Sequence, residues 1–183
     1  MTKNKKVAIY IDGGNLYFKL KDKELNIKNT INFDYFSFCK FLARNRKITS
    51  SRYYVGIVRV KNKRDKKGVI LRSNQRKLFN SLKRNFVIKR GHLMQNNGKY
   101  HEKGVDVQIA VDLLVGAYEN YYDEAILISS DTDLVPAIKK VKSLGKKVEY
   151  IGFAHQPSYG VMKNANITRL LIKEDIKKFI KYL

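Results

Sequence analysis

Two short apolar runs that end in acidic residues constrain the fold of this chain more than any other feature. The first, residues 7–11, leads into Asp12, and the second, residues 125–128, leads through two serines into Asp131-Thr132-Asp133. Apolar runs of this length that are bounded by turn residues are typical of buried strands in a parallel sheet. Open α/β sheets bind ligands at the carboxyl ends of their strands. If the two strands are neighbours, the acidic residues lie together at that edge.

Carboxylates that are crowded at one edge of a sheet repel one another. Either one of them takes up a proton or a cation lies between them. Hard oxygen ligands of this kind suit Mg²⁺ or Mn²⁺. At Asp12, Asp131 and Asp133 the sequence therefore predicts either a carboxyl group that keeps its proton or a site for one of these cations.

Strand-like segments alternate with segments of helical periodicity along the chain. We predict strands at residues 6–11, 53–60, 86–90, 125–128, 147–151 and 167–172. We predict helices at residues 15–22, from 32 or 34, at 71–82, at 105–118, from 134 and at the C-terminus, and a hairpin turn at 96–98. This alternation predicts βαβ units in one α/β domain, residues 1–183, with a mostly parallel central sheet flanked by helices.

Asp106 opens the most regular of these helices but shares a face with Ile109 and Leu113. A charged residue on a core-facing stripe is costly unless it has a partner. In the first turn, Asp106 can point over the end of the sheet, where the other acids are expected. Alternatively, it only satisfies free N–H groups at the start of the helix. Asp112 is six positions further on, about 240° round the helix, and is predicted to face away from the site.

Capping offers a structural alternative for two other candidates. Asp133 can cap a helix that begins near Leu134, and Pro136 in the first turn supports this start. Asn15 follows two glycines and either caps the first helix or holds a water or a phosphate oxygen. For Asp131, at the end of its strand, a purely structural role is a weaker alternative to metal binding than it is for Asp133.

The charge of the chain favours a polyanionic partner. Lys and Arg number 38 against 16 Asp and Glu, a net charge of +22. A generally basic surface is the alternative explanation. The candidate nucleic-acid-binding residues, which follow the second predicted strand, are Arg59, Lys61, Lys63, Arg64, Lys66, Lys67, Arg72 and Arg76. Such residues contact phosphates without reading sequence. Tyr100 and His101 could stack on a base, unless they belong to an ordinary exposed hairpin.

Several kinds of protein are disfavoured by the sequence. Cys39 is the single cysteine, so there is no disulfide framework and no cysteine zinc site, and its apolar neighbours predict a core position. The apolar run near the start is too short for a signal peptide, and no stretch approaches the length of a membrane span. We therefore expect a cytoplasmic protein. No P-loop or GxGxxG motif is present, which argues against a nucleotide cofactor.

Four motifs in order give the chain a resemblance to the NYN domain, in particular to its LabA-like (DUF88) branch within the PIN-like nuclease superfamily. They are Ile-Asp-Gly-Gly-Asn at 11–15, Lys-Gly-Val-Asp-Val at 103–107, Ile-Ser-Ser-Asp-Thr-Asp-Leu at 128–134 and Leu-Gly-Lys-Lys-Val at 144–148. The resemblance covers about residues 7–152, with a predicted C-terminal strand and helix at 167–183 beyond it. It implies a Rossmann-like (PIN-like) fold and a metal-dependent ribonuclease. By motif, the metal-binding acids would be Asp12, Asp106, Asp131 and Asp133, with Asn15 beside them.

Our hypothesis is an Mg²⁺- or Mn²⁺-dependent ribonuclease acting on single-stranded or structured RNA. We expect Asp12 and Asp131 to bind the metal directly and Asp106 and Asp133 to bind it directly or through water, with Asn15 orienting substrate. Many PIN-type nucleases carry a further acid on a middle helix, whereas between 34 and 102 this chain has only Asp65. A non-catalytic RNA-binding module is therefore the main alternative. A metal-dependent phosphohydrolase or a DxD glycosyltransferase is a less favoured one, and homo-oligomer formation is left open.

Overall fold

The structure is a computed structural model that describes residues 5–27, 30–58, 65–96 and 99–181, with only the backbone described at 93–96 and 99–102. The strands are β1 (Lys6–Asp12), β2 (Lys47–Ile57), β3 (Val87–Asn96), β4 (Lys99–Lys103), β5 (Glu124–Ile128), β6 (Lys147–Phe153) and β7 (Ile167–Leu171). The helices are α1 (Gly13–Lys21), α2 (Tyr35–Ala43), α3 (Lys66–Leu82), α4 (Val105–Tyr118), α5 (Val135–Ser143), α6 (Tyr159–Asn164) and α7 (Lys173–Lys177). Short 3₁₀ turns lie at Thr30–Asn32 and Thr132–Leu134.

One sheet contains all seven of these strands, in the order β4-β3-β2-β1-β5-β6-β7. Six of them are parallel, and β4 pairs antiparallel with β3. The predicted α/β fold with a mostly parallel sheet flanked by helices is confirmed. Successive strands move outward from β1 to β3 on one side and from β5 to β7 on the other. The direction therefore reverses between β1 and β5, where sheets of this kind form a ligand-binding crevice.

The central strand β1 is buried on both faces, which explains its continuous apolar run. Ile9 and Ile11 pack against Leu16 of α1 and Phe38 of α2 on one face. Tyr10 packs on the other face, in a cluster that also contains residues of α4 and α5. Cys39 lies in the first of these clusters with a free, buried thiol, as its apolar neighbours predict.

Several predicted boundaries are wrong. The second strand begins at Lys47 rather than at 53, because its first half is polar and only partly buried and therefore lacks an apolar run. The third strand extends to Asn96 because β4 pairs with its second half. The predicted turn residues 97 and 98 lie outside the described residues. The six-residue helix α6 was not predicted, since a helix of fewer than two turns carries little periodicity.

Other predicted elements are confirmed. The helix at 105–118 has the predicted bounds, and the strands at 125–128, 147–151 and 167–172 are present with ends within two residues of those expected. Across the described residues, the structure contains no helix that is both long and apolar enough to span a bilayer.

Candidate metal centre

Three aspartates come together above the carboxyl ends of β1 and β5. Asp106 lies in the first turn of α4, Asp131 follows β5 and Asp133 lies two residues further on. One carboxylate oxygen from each lies within 4.8 Å of the other two. Opposite ligands of an octahedral Mg²⁺ are about 4.2 Å apart, so small side-chain rotations would let all three oxygens reach one ion. The donor set therefore fits Mg²⁺ or Mn²⁺. We call these three residues the acidic triad.

Asp12 lies beside the acidic triad but is not one of the three. Asp12 is 9% exposed, and its carboxylate accepts hydrogen bonds from the Asn15 backbone N–H and the Ser129 hydroxyl, both at 2.9 Å. The pKa of Asp12 lies above its ordinary value, chiefly because the carboxyl group is buried. The hydrogen bonds from Asn15 and Ser129 lower this pKa in part, and the negative charge on Asp131 raises it further. The structure thus places Asp12 within electrostatic reach of Asp131, with each of its oxygens already accepting a hydrogen bond.

The turn from β1 into α1 depends on Asp12 and Gly13. Asp12 is the N-cap of α1, so of the two alternatives for Asn15 the capping one is wrong. A Cβ atom on Gly13 would lie 2.4 Å from the Tyr53 ring and 2.7 Å from the Tyr54 carbonyl oxygen. Only glycine therefore lets α1 begin directly at the end of β1 against β2. Asn15 is left half-buried in the first turn of the helix, close to the acidic edge.

The capping alternative for Asp133 is also wrong. Asp131 accepts the backbone N–H of Asp133 at 2.9 Å and caps the 3₁₀ turn that precedes α5. That turn starts the helical segment at Thr132 instead of Leu134, with Pro136 in the first turn of α5 as expected. The Asp133 carboxylate, released from capping, belongs to the acidic triad. Asp131 serves both as a cap and as a member of the acidic triad.

Ser129 is a site residue that the sequence analysis missed. Its side chain is buried, its hydroxyl donates to Asp12, and its oxygen accepts the Asp131 backbone N–H at 3.2 Å. The signal in the sequence that could have identified it is a serine directly after an otherwise apolar strand. Ser129 links the two acidic strand ends directly.

Asp112 faces β2 and β3 rather than the acidic triad, as its helical spacing predicts. Its burial was not foreseen. It accepts a hydrogen bond from the Tyr54 hydroxyl at 2.8 Å and pairs with Arg52 at 3.1 Å and Lys89 at 3.5 Å. The Tyr10 hydroxyl donates to its backbone carbonyl at 3.3 Å. These contacts fix α4 to three strands and so position the helix that carries Asp106.

The predicted nucleic-acid-binding residues are only partly described. Arg59, Lys61, Lys63 and Arg64 lie outside the described residues, as do the side chains of Tyr100 and His101. Lys66, Lys67, Arg72 and Arg76 are exposed on α3, and we call these four residues the α3 basic face. The Gln75 side chain accepts from the Val58 N–H and donates to the Gly56 carbonyl, which ties α3 to the carboxyl end of β2.

The parallel sheet and the acidic triad at its reversal point together define an α/β domain of the PIN-like nuclease superfamily. More specifically, the chain belongs to the NYN family, whose NYN domain model matches residues 6–171. This family assignment includes every residue of the acidic triad, together with Asp12, Asn15 and Ser129.

Solved structures contain the same fold. A protein of unknown function from Vibrio parahaemolyticus RIMD 2210633 superposes with a TM-score of 0.65 at 21% identity, over 96% of this chain and 98% of that one. At this identity the likeness shows the fold alone. No curated protein gives a significant match to the sequence.

Proposed function

We propose that this protein is a single-domain, Mg²⁺- or Mn²⁺-dependent endoribonuclease. The observation that carries the proposal is the acidic triad, three carboxylate oxygens within 4.8 Å of one another in an NYN domain. A cation bound there would supply Lewis acidity, making a water more acidic and offsetting negative charge on the phosphate. The contacts around the acidic triad suggest a distinct task for each neighbouring residue.

Asp106, Asp131 and Asp133 would hold the cation, because their oxygens face one another from two different segments. We propose that the buried Asp12 carboxylate also binds the cation. It would do so either through lone pairs that its two hydrogen bonds leave unused or through a bridging water. The Asn15 amide would orient a phosphate oxygen or a water, since its backbone N–H is already used by Asp12. Without a cation, the negative charge of these carboxylates would repel the phosphate that they are meant to cleave.

Substrate affinity would come from the basic surface. The α3 basic face is exposed, and Gln75 of the same helix is bonded to the end of β2, the neighbour of β1. We therefore propose that RNA phosphates lie along α3 and reach the acidic triad from the β2 side, with residues 59–64 contributing further contacts. On the same basis of motifs we propose membership of the LabA-like branch. An RNA substrate and a free Cys39 thiol suit a cytoplasmic location.

The test is cleavage of labelled RNA by the purified chain in Mg²⁺, Mn²⁺ or EDTA. Linear single-stranded, hairpin and circular RNAs are compared, because cleavage of a circle identifies an endonuclease. The variant Asp106→Asn removes one carboxylate of the acidic triad. Its matched control is Glu119→Gln, an exposed acid that directly follows α4, about 20 Å along the helix axis from Asp106.

We expect metal-dependent cleavage by the wild type and by Glu119→Gln, and none by Asp106→Asn. RNA binding without cleavage in either metal would instead favour the non-catalytic RNA-binding module. Equal cleavage by the wild type and Asp106→Asn would attribute the activity to a contaminant and reject the proposed site.

A further inference from the structure

An open groove of about 720 Å³ lies between α6 and β7. It is lined by Tyr159, Gly160, Met162 and Lys163 from α6 and by Thr168 from β7. The Tyr159 side chain is 75% exposed, more than any other large apolar or aromatic side chain among the described residues. An exposed aromatic ring beside a lysine is the combination that single-strand-binding proteins use to stack a base and pair its phosphate.

The groove is held in place by the fold. Val161, on the opposite side of α6, is fully buried. The Ser158 N–H, just before the helix, donates to the Tyr150 hydroxyl at 3.1 Å, and the Lys142 ammonium donates to the Asn164 carbonyl at 2.7 Å. A preformed surface loses little conformational entropy when a ligand binds. The exposed Tyr159 ring is thus carried on a rigid support.

The start of α6 directly contacts the turn that carries two members of the acidic triad. A Cβ atom on Gly160 would lie 2.7 Å from the Thr132 methyl carbon, so a side chain at this position would require the Thr132 side chain to move. Thr132 lies between Asp131 and Asp133 in the sequence. Gly160 therefore both lines the groove and adjoins the proposed catalytic turn. In the sheet it lies on the β6–β7 side of the acidic triad, opposite the α3 basic face.

From this placement we infer that the groove is a base-binding subsite for single-stranded RNA. It takes a nucleotide next to the bond cleaved at the acidic triad, and in this respect the inference rests on the proposed function. The base stacks on the Tyr159 ring with the Met162 thioether at its side. The Lys163 ammonium pairs with a phosphate, and the Thr168 hydroxyl hydrogen-bonds a base edge or a ribose.

The subsite predicts both the path of the RNA strand across the protein and the single-stranded conformation of the bound segment. RNA phosphates run from the α3 basic face over the acidic triad, and the strand continues toward α6 with an unstacked base. Stacking on one aromatic ring is tolerant of base identity. Duplex RNA cannot present an unpaired base to the groove, so the subsite selects single-stranded over double-stranded segments.

The experiment measures RNA binding in EDTA, where nothing is cut, with a short single-stranded RNA that carries the fluorescent base 2-aminopurine. Tyr159→Ala removes the ring and Tyr159→Phe retains it. The matched control is Tyr118→Ala, which removes another exposed tyrosine that has a lysine nearby, Lys140 at 5.8 Å from the ring centre. Tyr118 ends α4, about 18 Å along the helix axis from Asp106.

We expect Tyr159→Ala to weaken single-strand binding by roughly 5- to 150-fold, the loss given by one base–aromatic stack, and to abolish quenching of the fluorescent base. Tyr159→Phe and Tyr118→Ala should bind and quench like the wild type. Binding of a perfect RNA duplex should be the same for all variants.

Two results would overturn the inference. One is equal binding and quenching by the wild type and Tyr159→Ala, which leaves the ribonuclease proposal intact if the wild type still cleaves RNA. The other is an equal loss of affinity in Tyr118→Ala, which would show a general surface effect. Conversely, ring-dependent quenching in a wild type that cleaves no RNA would support base binding in the groove but would reject the catalytic proposal, and with it the placement of the base next to a cleaved bond.

Discussion

The Ser129 hydroxyl donates a 2.9 Å hydrogen bond to the Asp12 carboxylate, joining residues that are 117 positions apart in the sequence. Both residues are buried, and they lie at the ends of the adjacent strands β1 and β5. The same serine oxygen accepts the backbone N–H of Asp131. One hydroxyl therefore links the two acidic strand ends directly, in addition to the pairing of their strands.

Ser129→Ala should destabilise the protein. The substitution leaves one oxygen of the buried Asp12 without its donor, at a cost of about 1–3 kcal/mol in the free energy of unfolding. Urea unfolding in EDTA measures this difference. Ser130→Ala, which changes the half-buried neighbour, is the control and should change the free energy by less than about 0.5 kcal/mol. Equal effects of the two substitutions would contradict the proposed role of this hydrogen bond.

Asp131→Asn should separate catalysis from folding. Asparagine caps helical turns about as well as aspartate, so the hydrogen bond from the Asp133 N–H is retained. The neutral amide is a poorer ligand for a hard cation and does not repel the neighbouring carboxylates. We expect RNA cleavage to fall on the order of 100-fold or more, with an unchanged or higher Tm in EDTA. A cleavage rate close to that of the wild type would remove Asp131 from the site.

Arg46→Ala should be strongly destabilising at neutral pH. Arg46 pairs at 2.7 Å with each of two buried acids, Glu124 and Glu149, and the substitution deprives both of this partner. Breaking a buried pair in this way costs about 3–5 kcal/mol. Thermal or urea unfolding of the wild type and the variant at pH 7 measures the difference, with Lys139→Ala on the exposed face of α5 as the control.

The effect of Arg46→Ala should also depend on pH. Burial raises the pKa of Glu124, but hydrogen bonds from Lys5 and Arg46 outweigh it, and the net pKa lies below its ordinary value. A carboxylate with a lowered pKa stabilises the fold above its unfolded-state pKa of about 4.3, and this contribution is lost as the pH falls through the folded-state value. The destabilisation by Arg46→Ala should therefore shrink as the pH is lowered below about 5. A pH-independent difference would show that Glu124 is not the group affected.

Neutralising the α3 basic face should weaken RNA binding and reduce its dependence on salt. Each lost phosphate contact lowers the slope of log affinity against log salt by about 0.7 for a single strand. The measurement is a salt titration in EDTA with Lys66, Lys67, Arg72 and Arg76 all changed to Gln. Changing Lys139 and Lys140, which are exposed on α5, is the control. Identical slopes for the two variants would place the RNA path elsewhere.

The parts of the site that the sequence predicts are those with a regular pattern. Residues 7–11 and 125–128 could be recognised as buried strands, and strand ends in a parallel sheet share one edge. The position of Asp106 followed from its spacing to Ile109 and Leu113, because helical periodicity fixes which face a residue occupies. The structure confirms the α/β fold and brings Asp106, Asp131 and Asp133 together.

The parts that could not be predicted depend on contacts between distant segments or on where a helix begins. Asp12 and Asp131, not Asn15 and Asp133, are the caps, because each helical segment starts earlier than its apolar periodicity. The burial of Asp112 depends on Arg52 and Tyr54, which lie about 60 positions away in the sequence and carry no shared pattern. Gly160 could not be linked to Thr132 without the fold.

The pairing of β1 with β5 also determines when the site can exist during synthesis. The ribosome releases the N-terminal part of a chain first, and that part begins to fold before the rest is made. β1, β2 and β3 can pair as soon as they emerge, but Asp131 and Asp133 follow β5 and are made much later. A nascent chain that ends before β5 therefore has no acidic triad. The proposed nuclease cannot cut its own messenger RNA until most of its sheet has been completed.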